Sequence, residues 1–296
     1  MRIKSLFALL AVLLLPALSA AQDGAVSALQ GSLVDAVGLP GQGWTSVGNL
    51  SPIEHNNFYV QSYVEQGAAV FATYSGSITV TPFVGMGLVL DTKGYDWNNK
   101  VQPKAGVKIN KFFRKGVVSL ASAYSYEDRF NGFHSGGLTL YAQDWFGWQP
   151  VVDKASRFPG SSWMEIGNLS PVEKGNIIGL GYISQGVVAK RFSRAILVPY
   201  VEATIFHDRK GFDWENKATA GGGVKTTIQR GDVYTEIGAA YLHENRFQSG
   251  QSAGGLSVFT NFSFNWNLLG RKAGRQHAIS WDWKHLRHHS HVSQAS

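Results

Sequence analysis

The chain has 296 residues and no cysteine, its aromatic fraction is 12%, and charged residues make up only 16%. Without disulfides, an exported chain of this length must be held by a large core or by a closed hydrogen-bonded sheet. Arg2 and Lys4 carry +2 of the formal net charge of +7 and residues 268–296 carry +4, which leaves about +1 for the remainder and argues against a nucleic-acid-binding protein.

The first 21 residues have the pattern of a secretory signal peptide. A basic start is followed by an apolar run from Leu6 to Leu15, and Ser19-Ala20-Ala21 has the small residues of a cleavage site. The apolar run is shorter than the about 20 residues that a helix needs to cross a bilayer. We predict a signal peptide over 1–21 and an N-terminal segment over 22–42.

The central part of the chain is duplicated. The motif P-G-x-x-W-x-x-x-G-N-L-S-P begins at Pro40 and again at Pro159, G-[YF]-D-W-x-N-K begins at Gly94 and Gly211, and E-x-R-F begins at Glu127 and Glu244. Self-similarity of this length fixes the architecture before any local assignment. We predict two homologous units, over about 31–148 and 150–266.

Alternation of apolar and polar residues predicts β-strands. From Ile78 to Leu90 the even positions are aliphatic, Met or Pro, and the odd positions are mainly Thr and Gly. Residues 195–206 and 256–266 alternate in the same way. Segments of about ten residues that are apolar on one side and small or polar on the other are typical of transmembrane barrels.

The number of strands has two solutions. Each unit has five clear strands, which in the first unit lie at 57–74, 77–90, 101–112, 116–127 and 136–148. Five strands would leave a unit at the opposite end from its start. A sixth strand at Trp44–Leu50 and Trp163–Leu169 gives twelve strands, whereas an irregular luminal segment there gives ten.

Short turns alternate with longer loops, which lie at 91–100, 127–136, 207–217 and 243–254. In these features residues 43–266 resemble the bacterial outer-membrane β-barrel proteins as a class. The resemblance implies an all-β, antiparallel transmembrane barrel of 10–12 strands, porin-like, in contact with the outer-membrane lipid of a Gram-negative-type bacterium. Barrels of this class usually end on an aromatic residue of the last strand, here Trp266, but a basic, His-rich tail follows over 267–296. A solvated terminus is expected there, and no metal site is predicted.

Polar and aromatic residues recur in the long loops and define a candidate rim: Asp96, Trp97, Asn99, Lys100, Glu127 and Arg129, then Asp213, Trp214, Asn216, Lys217, Glu244 and Arg246. One interpretation is that Asp–Arg and Glu–Lys pairs pin neighbouring loops over the barrel mouth. The other is a glycan-binding rim, in which tryptophans stack on sugars and carboxylates accept hydrogen bonds from hydroxyls.

A second set lies on the polar phase of the strands and is predicted to line the lumen: Tyr63, Glu65, Lys104 and Lys108, then Tyr182, Glu202, Lys225 and Glu236. These residues either line a narrow pore for small polar solutes or fill a plugged barrel.

We therefore expect a non-catalytic outer-membrane barrel, either a narrow pore or a glycan-binding protein, with no cofactor and no nucleic-acid partner; the sequence leaves the oligomeric state open. A hydrolase is one alternative, with His207, Asp208, His243 and Glu244 at the rim, although neighbours on a strand point to opposite faces and no G-x-S-x-G motif is present. A soluble secreted two-repeat lectin is another. It requires Ile78, Val80, Val84 and Leu88 to be buried against a second sheet.

Overall fold

The structure is a computed structural model that describes residues 38–73, 77–95, 98–149, 154–193, 195–230 and 233–268. The predicted signal peptide, most of the N-terminal segment and all of the tail beyond Leu268 lie outside these ranges, as do Asp96 and Trp97 of the candidate rim.

The described residues form fourteen strands and one short 3-10 helix at Asp213–Glu215. The strands are β1 (Pro40–Gly48), β2 (Tyr59–Gly67), β3 (Phe71–Ala72), β4 (Ile78–Asp91), β5 (Lys100–Phe113), β6 (Gly116–Arg129), β7 (His134–Trp148), β8 (Gly160–Gly167), β9 (Ile178–Gly186), β10 (Lys190–Arg191), β11 (Ala195–Asp208), β12 (Lys217–Arg230), β13 (Val233–Arg246) and β14 (Ser252–Asn267). In this part of the chain no helix is long and apolar enough to cross a membrane.

Twelve of these strands close into an antiparallel barrel. Each long strand pairs with the next along the chain, and the ring is completed where β14 pairs with β1 and where β9 pairs with β11. The two-residue strands β3 and β10 pair only with β4 and β11. The all-β prediction is confirmed with twelve strands, because β1 and β8 are the sixth strands that the sequence allowed. A closed ring satisfies the backbone hydrogen bonds and leaves no free edge.

Side chains alternate between the lumen and the outer surface. On β6, Ser119, Ala123 and Ser125 are buried inside the barrel, whereas Leu120 and Tyr124 are 60% and 62% exposed on the outside. The outer face of the other strands is also apolar, with exposed Val84, Val107, Ile109, Leu138, Leu140, Ile183, Val201, Ile205, Val224, Ile237, Leu256 and Val258. The barrel thus has an apolar outer belt, and its interior combines polar and charged side chains with two buried apolar clusters, one around Val198 and one around Phe83.

The two ends of the barrel differ. The end that holds the turn at 114–115 also holds the start of β1 and the end of β14, and we call it the turn end. The opposite end, the loop end, holds longer connections at 49–58, 92–99, 168–177 and 209–216. Three connections depart from the predicted alternation. The loops predicted at 127–136 and 243–254 are reduced to 130–133 and 247–251, because the strands extend into them, and the link between β7 and β8 at the turn end runs over 149–159.

The packing that a soluble lectin would need is not formed. All strands of the described residues belong to one sheet. Val84 is 58% exposed, and Ile78 and Val80 are only half-buried. Leu88 is buried, but its neighbours across the ladder are Ser62 and Val101 of the same sheet.

Candidate functional site

Two connections at the loop end place polar side chains against the inward faces of nearby strands. Residues 49–58 join β1 to β2, residues 168–177 join β8 to β9, and each begins with N-L-S-P. We call them the plug segments. Three polar side chains in each are almost completely buried, although connections normally lie on the surface: Ser51, Glu54 and Asn57 in the first, Ser170, Glu173 and Asn176 in the second. Burial of this kind requires partners inside the barrel.

The second plug segment is held by a glutamate and an arginine on β6. Ser170 Oγ donates to Glu127 Oε2 at 2.6 Å. Arg129 donates from Nε to Glu127 Oε1 at 2.8 Å and from its terminal nitrogen to Glu173 Oε1 at 2.5 Å. These bonds join the segment that follows β8 to β6, which lies two strands away in the barrel wall. We call this group the second latch.

The first plug segment is held in the same way by β13. Ser51 Oγ donates to Glu244 Oε2 at 2.6 Å, and Arg246 donates to Glu54 Oε1 at 2.6 Å and to Glu244 Oε1 at 3.1 Å. This group is the first latch. It joins residues about 190 positions apart and spans the strand pair that closes the ring.

Lysines and an aspartate complete the ionic contacts of the latches. Lys100 lies 3.6 Å from Glu127, and Lys217 lies 3.7 Å from Glu244. Asp213 Oδ2 is 3.6 Å from Arg246. Seven of the candidate rim residues therefore take part in the two latches: Lys100, Glu127, Arg129, Asp213, Lys217, Glu244 and Arg246.

The asparagine at the end of each plug segment connects it to a neighbouring loop. Asn57 donates to Glu54 Oε2 and to Asp91 Oδ2, both at 3.0 Å. Asn176 donates to Glu173 Oε2 at 3.0 Å, to Asp208 Oδ2 at 2.8 Å and to Glu215 Oε2 at 3.2 Å.

Asp91 and Asp208 in turn organise the loops that follow β4 and β11. Asp208 Oδ1 accepts from the backbone N–H groups of Gly211 at 2.8 Å and Phe212 at 3.0 Å, and from the side chain of Asn216. Asp91 accepts equivalent bonds, including one from Asn99 at 2.7 Å. Within the loop that follows β11, Phe212 stacks on Trp214 with ring centroids 5.0 Å apart.

The pKa values of two carboxyl groups at the mouth are shifted in opposite directions. Burial would raise the pKa of Glu54, but hydrogen bonds from Tyr59 and Asn57 and the charges of Lys217 and Arg246 outweigh it, so the pKa lies below its ordinary value. Within the described ranges no cation forms an ion pair with Glu215, and Lys100 acts on it only at longer range through its charge. Burial, with repulsion from Glu173 and Asp208, raises its pKa to about 8.

These contacts bear on the glycan-binding hypothesis. Glu127, Glu244 and Asn216 have no exposed surface, and their polar atoms are already hydrogen-bonded inside the protein. In this conformation they do not present acceptors to a sugar outside the barrel.

The first charged cluster of the lumen joins β2, β5 and β7. The ammonium group of Lys108 bonds the carboxylate of Glu65, which also accepts from Tyr63 Oη at 2.6 Å. Lys104 Nζ lies 4.6 Å from the ring centroid of Tyr63 and 5.1 Å from that of Tyr141. Each cation has an anionic or aromatic partner.

The second lumen cluster uses the other predicted residues. Lys225 Nζ is 2.7 Å from Glu236 Oε1 and 4.9 Å from the ring centroid of Tyr200. Tyr182 Oη donates to Glu202 Oε2 at 2.9 Å. All eight predicted lumen residues thus lie on the inward phase, and Lys108, Glu65 and Tyr200 are at most 7% exposed, so side chains fill much of this level.

The two His–carboxylate pairs do not assemble. His207 and His243 are exposed on the outer phase of β11 and β13, while Asp208 and Glu244 are buried on the inner phase. His243 Nε2 instead lies 2.9 Å from Ser252 Oγ. The geometry that the hydrolase alternative assigned to these residues is not formed.

The residues that the sequence did not predict include Asn57, Asn176 and Glu165. The two asparagines recur three residues after the repeated glutamate, which is a visible signal, but their contacts are non-local. Glu165, on β8, interacts electrostatically with Lys104 and Lys108 inside the barrel. It has no counterpart in the first unit, where Ser46 stands 119 positions earlier.

No protein-family model matches the chain, and no curated protein matches it. Several solved structures are similar to this chain at low sequence identity. They include the translocator domain of autotransporter NalP from Neisseria meningitidis (14% identity, TM-score 0.35, covering 88% of this chain and 96% of that one). The transport unit of autotransporter AIDA-I from Escherichia coli (12%, 0.35, 83% and 94%) and OmpT of Vibrio cholerae (10%, 0.35, 80% and 99%) are also similar. Values this low do not define a family for this chain.

Proposed function

We propose that this chain is a non-catalytic β-barrel of the bacterial outer membrane, exported by residues 1–21 and built from two homologous halves. Its lumen is a narrow pathway for small polar solutes, and the plug segments close this pathway at one mouth. The observation that carries the proposal is the pairing of an apolar outer belt with a charged lumen. Hydrocarbon is the environment that stabilises such an outer surface.

Aromatic side chains favour the same placement. Exposed Phe58, Phe130, Phe133 and Phe247 lie near the loop end, and Phe71, Phe113, Phe158 and Phe192 lie near the turn end. Aromatic girdles at both membrane interfaces are typical of spanning barrels.

The two latches support a duplicated chain and a barrel that is closed at its loop end. Each latch consists of a serine and a glutamate in the plug segment and a Glu-x-Arg pair on a strand, at positions that correspond in the sequence repeat. Because the latches are ionic and hydrogen-bonded, their removal should free the plug segments without changing the barrel wall.

Heat-modifiable gel mobility of the outer-membrane fraction tests the location, and planar-bilayer recording tests the pathway. We expect rare, small openings for the wild-type chain and sustained conductance for the Arg129→Met/Arg246→Met double variant. Arg209→Met, an exposed arginine at the same end, is the matched control and should behave as wild type. A double variant that keeps its heat-modifiable band but does not conduct would refute the solute pathway.

A further inference from the structure

The net charge of about +1 on residues 22–267 hides a strong separation between the two ends of the barrel. On the side formed by β5 to β11, the turn-end stretches 111–118, 144–160 and 186–196 hold eight basic and two acidic residues. The loop-end stretches 127–136, 168–177 and 207–217 on the same side hold five basic and six acidic residues. The excess of positive charge therefore lies at the turn end.

Six of these basic side chains are exposed at three successive connections around the barrel. They are Lys111, Arg114 and Lys115 at the β5–β6 hairpin, Lys154 and Arg157 before β8, and Lys190 in β10. We call them the basic arc. Within the described ranges none of the six belongs to an ion pair, in contrast to the lysines and arginines of the latches.

Exposed phenylalanines alternate with these cations. Phe113 precedes Arg114, Phe158 follows Arg157, and each ring is about half exposed. Phe192 is exposed too, and its ring centroid lies 5.2 Å from Lys190 Nζ. Rings that sit at the boundary of the hydrocarbon would hold the neighbouring cations at the level of lipid phosphates.

The continuation of the chain adds charge of the same sign. Strand β14 ends at Asn267 at the turn end, and residues 269–296 contain five basic residues and one acidic residue. Strands β1, β2 and β4 separate β14 from β5, and β12 and β13 separate it from β11, so this charge is counted apart from the basic arc.

We propose that the turn end of the barrel is a binding surface for anionic phospholipid headgroups, with the basic arc as its core. This inference rests on the proposed function, because it needs the outer belt to lie in hydrocarbon. Unpaired cations beside interfacial aromatics fit phosphodiesters that bear a net negative charge, and they gain little from zwitterionic headgroups. Their number and spread over three connections favour a lipid annulus over a single small anion.

The test measures lipid selectivity of the full-length chain in phosphatidylcholine vesicles, with spin-labelled phosphatidylglycerol or phosphatidylcholine as the probe. We expect the association constant for phosphatidylglycerol to exceed that for phosphatidylcholine by about three- to tenfold at low salt and to fall at high salt. The variant Lys111→Gln/Arg114→Gln/Lys115→Gln should bring the ratio close to one.

The matched control is Lys93→Gln/Arg209→Gln/Lys210→Gln, which removes three exposed charges from the loop end and should keep the selectivity. Equal association of both lipids with the wild-type chain, or equal effects of the two triple variants, would overturn the inference. Displacement of phosphatidylglycerol by soluble polyglutamate, with the same dependence on the hairpin, would overturn it too and identify a soluble polyanion as the partner. Heat-modifiable mobility of the same samples separates the proposals: without a shifting band the membrane barrel itself fails, and with one only the lipid surface does.

Discussion

The buried ion pair between Lys108 and Glu65 allows the filled lumen to be tested through stability. Lys108 on β5 reaches across β4 to Glu65 on β2, and the two side chains are 6% and 8% exposed. Replacing Lys108 with Met keeps the length of the side chain but leaves the carboxylate with one donor, Tyr63 Oη at 2.6 Å. Breaking a buried pair by removing one partner costs about 3–5 kcal/mol. The loss of the cation–π contact with Phe83, 4.7 Å from Lys108 Nζ, adds about 0.5–2 kcal/mol.

The assay is urea unfolding in lipid vesicles, followed by tryptophan fluorescence. We expect Lys108→Met to lower the free energy of unfolding by about 3.5–7 kcal/mol, the sum of these two contributions. Lys111→Met, which replaces an exposed lysine on the outer face of the same strand, should change it by less than about 0.5 kcal/mol. The double variant Lys108→Met/Glu65→Met should recover most of the loss, because both charges are gone. A double variant as unstable as the single one, or a single variant within about 1 kcal/mol of wild type, would refute the paired lumen.

Three further predictions concern the mouth, the outer belt and the wall. The pKa of Glu215 is raised from 4.5 to about 8, so the bound proton stabilises the folded barrel at low pH, and this stabilisation is lost as the pH rises through 8. Glu215→Asn should therefore flatten the pH profile of the unfolding midpoint between pH 5 and 9. An unchanged profile would contradict the clustering of carboxylates around Glu215. Val201→Lys, near the middle of β11 on the outer face, should cost about 2–4 kcal/mol in vesicles, and a neutral effect would argue against lipid contact. Gly106→Ala should impair folding into the heat-modifiable form, because the new Cβ would lie 2.2 Å from the carbonyl oxygen of Ser122. Gly87→Ala should fold normally, because no atom lies closer than 3.9 Å to its Cβ. Equal yields of the heat-modifiable form for the two variants would show that the strands can move apart at Gly106.

The faces of the strands were predictable because alternation is a local property. Leu120 and Tyr124 face outward and Glu65 and Lys108 face inward, as the two-residue period requires. The sixth strand of each unit was harder to assign. β1 and β8 are only nine and eight residues long, and each runs into a proline-containing segment.

The plug segments could not be derived from the sequence. N-L-S-P has the composition of a turn or cap, and nothing local indicates that Ser51 reaches Glu244, 193 positions away. That contact exists because β14 pairs with β1, and ring closure is decided by the whole sheet. The repeated E-x-R motif singled out Arg129 and Arg246, but it does not show their partners. Arg246 meets Glu54 only because β14 pairs with β1, and Arg129 meets Glu173 across the intervening strand β7.

Contact between the outer belt and hydrocarbon is tested most directly by a nitroxide scan along β6. The chain has no cysteine, so single cysteines introduced from Ser119 to Tyr124 can each be spin-labelled without background in vesicles. We predict that labels at Leu120, Ser122 and Tyr124 are accessible to dissolved oxygen and protected from a water-soluble nickel complex, with the intervening positions protected from oxygen. Nickel accessibility at the outward positions, or no alternation along the strand, would contradict a membrane-spanning barrel.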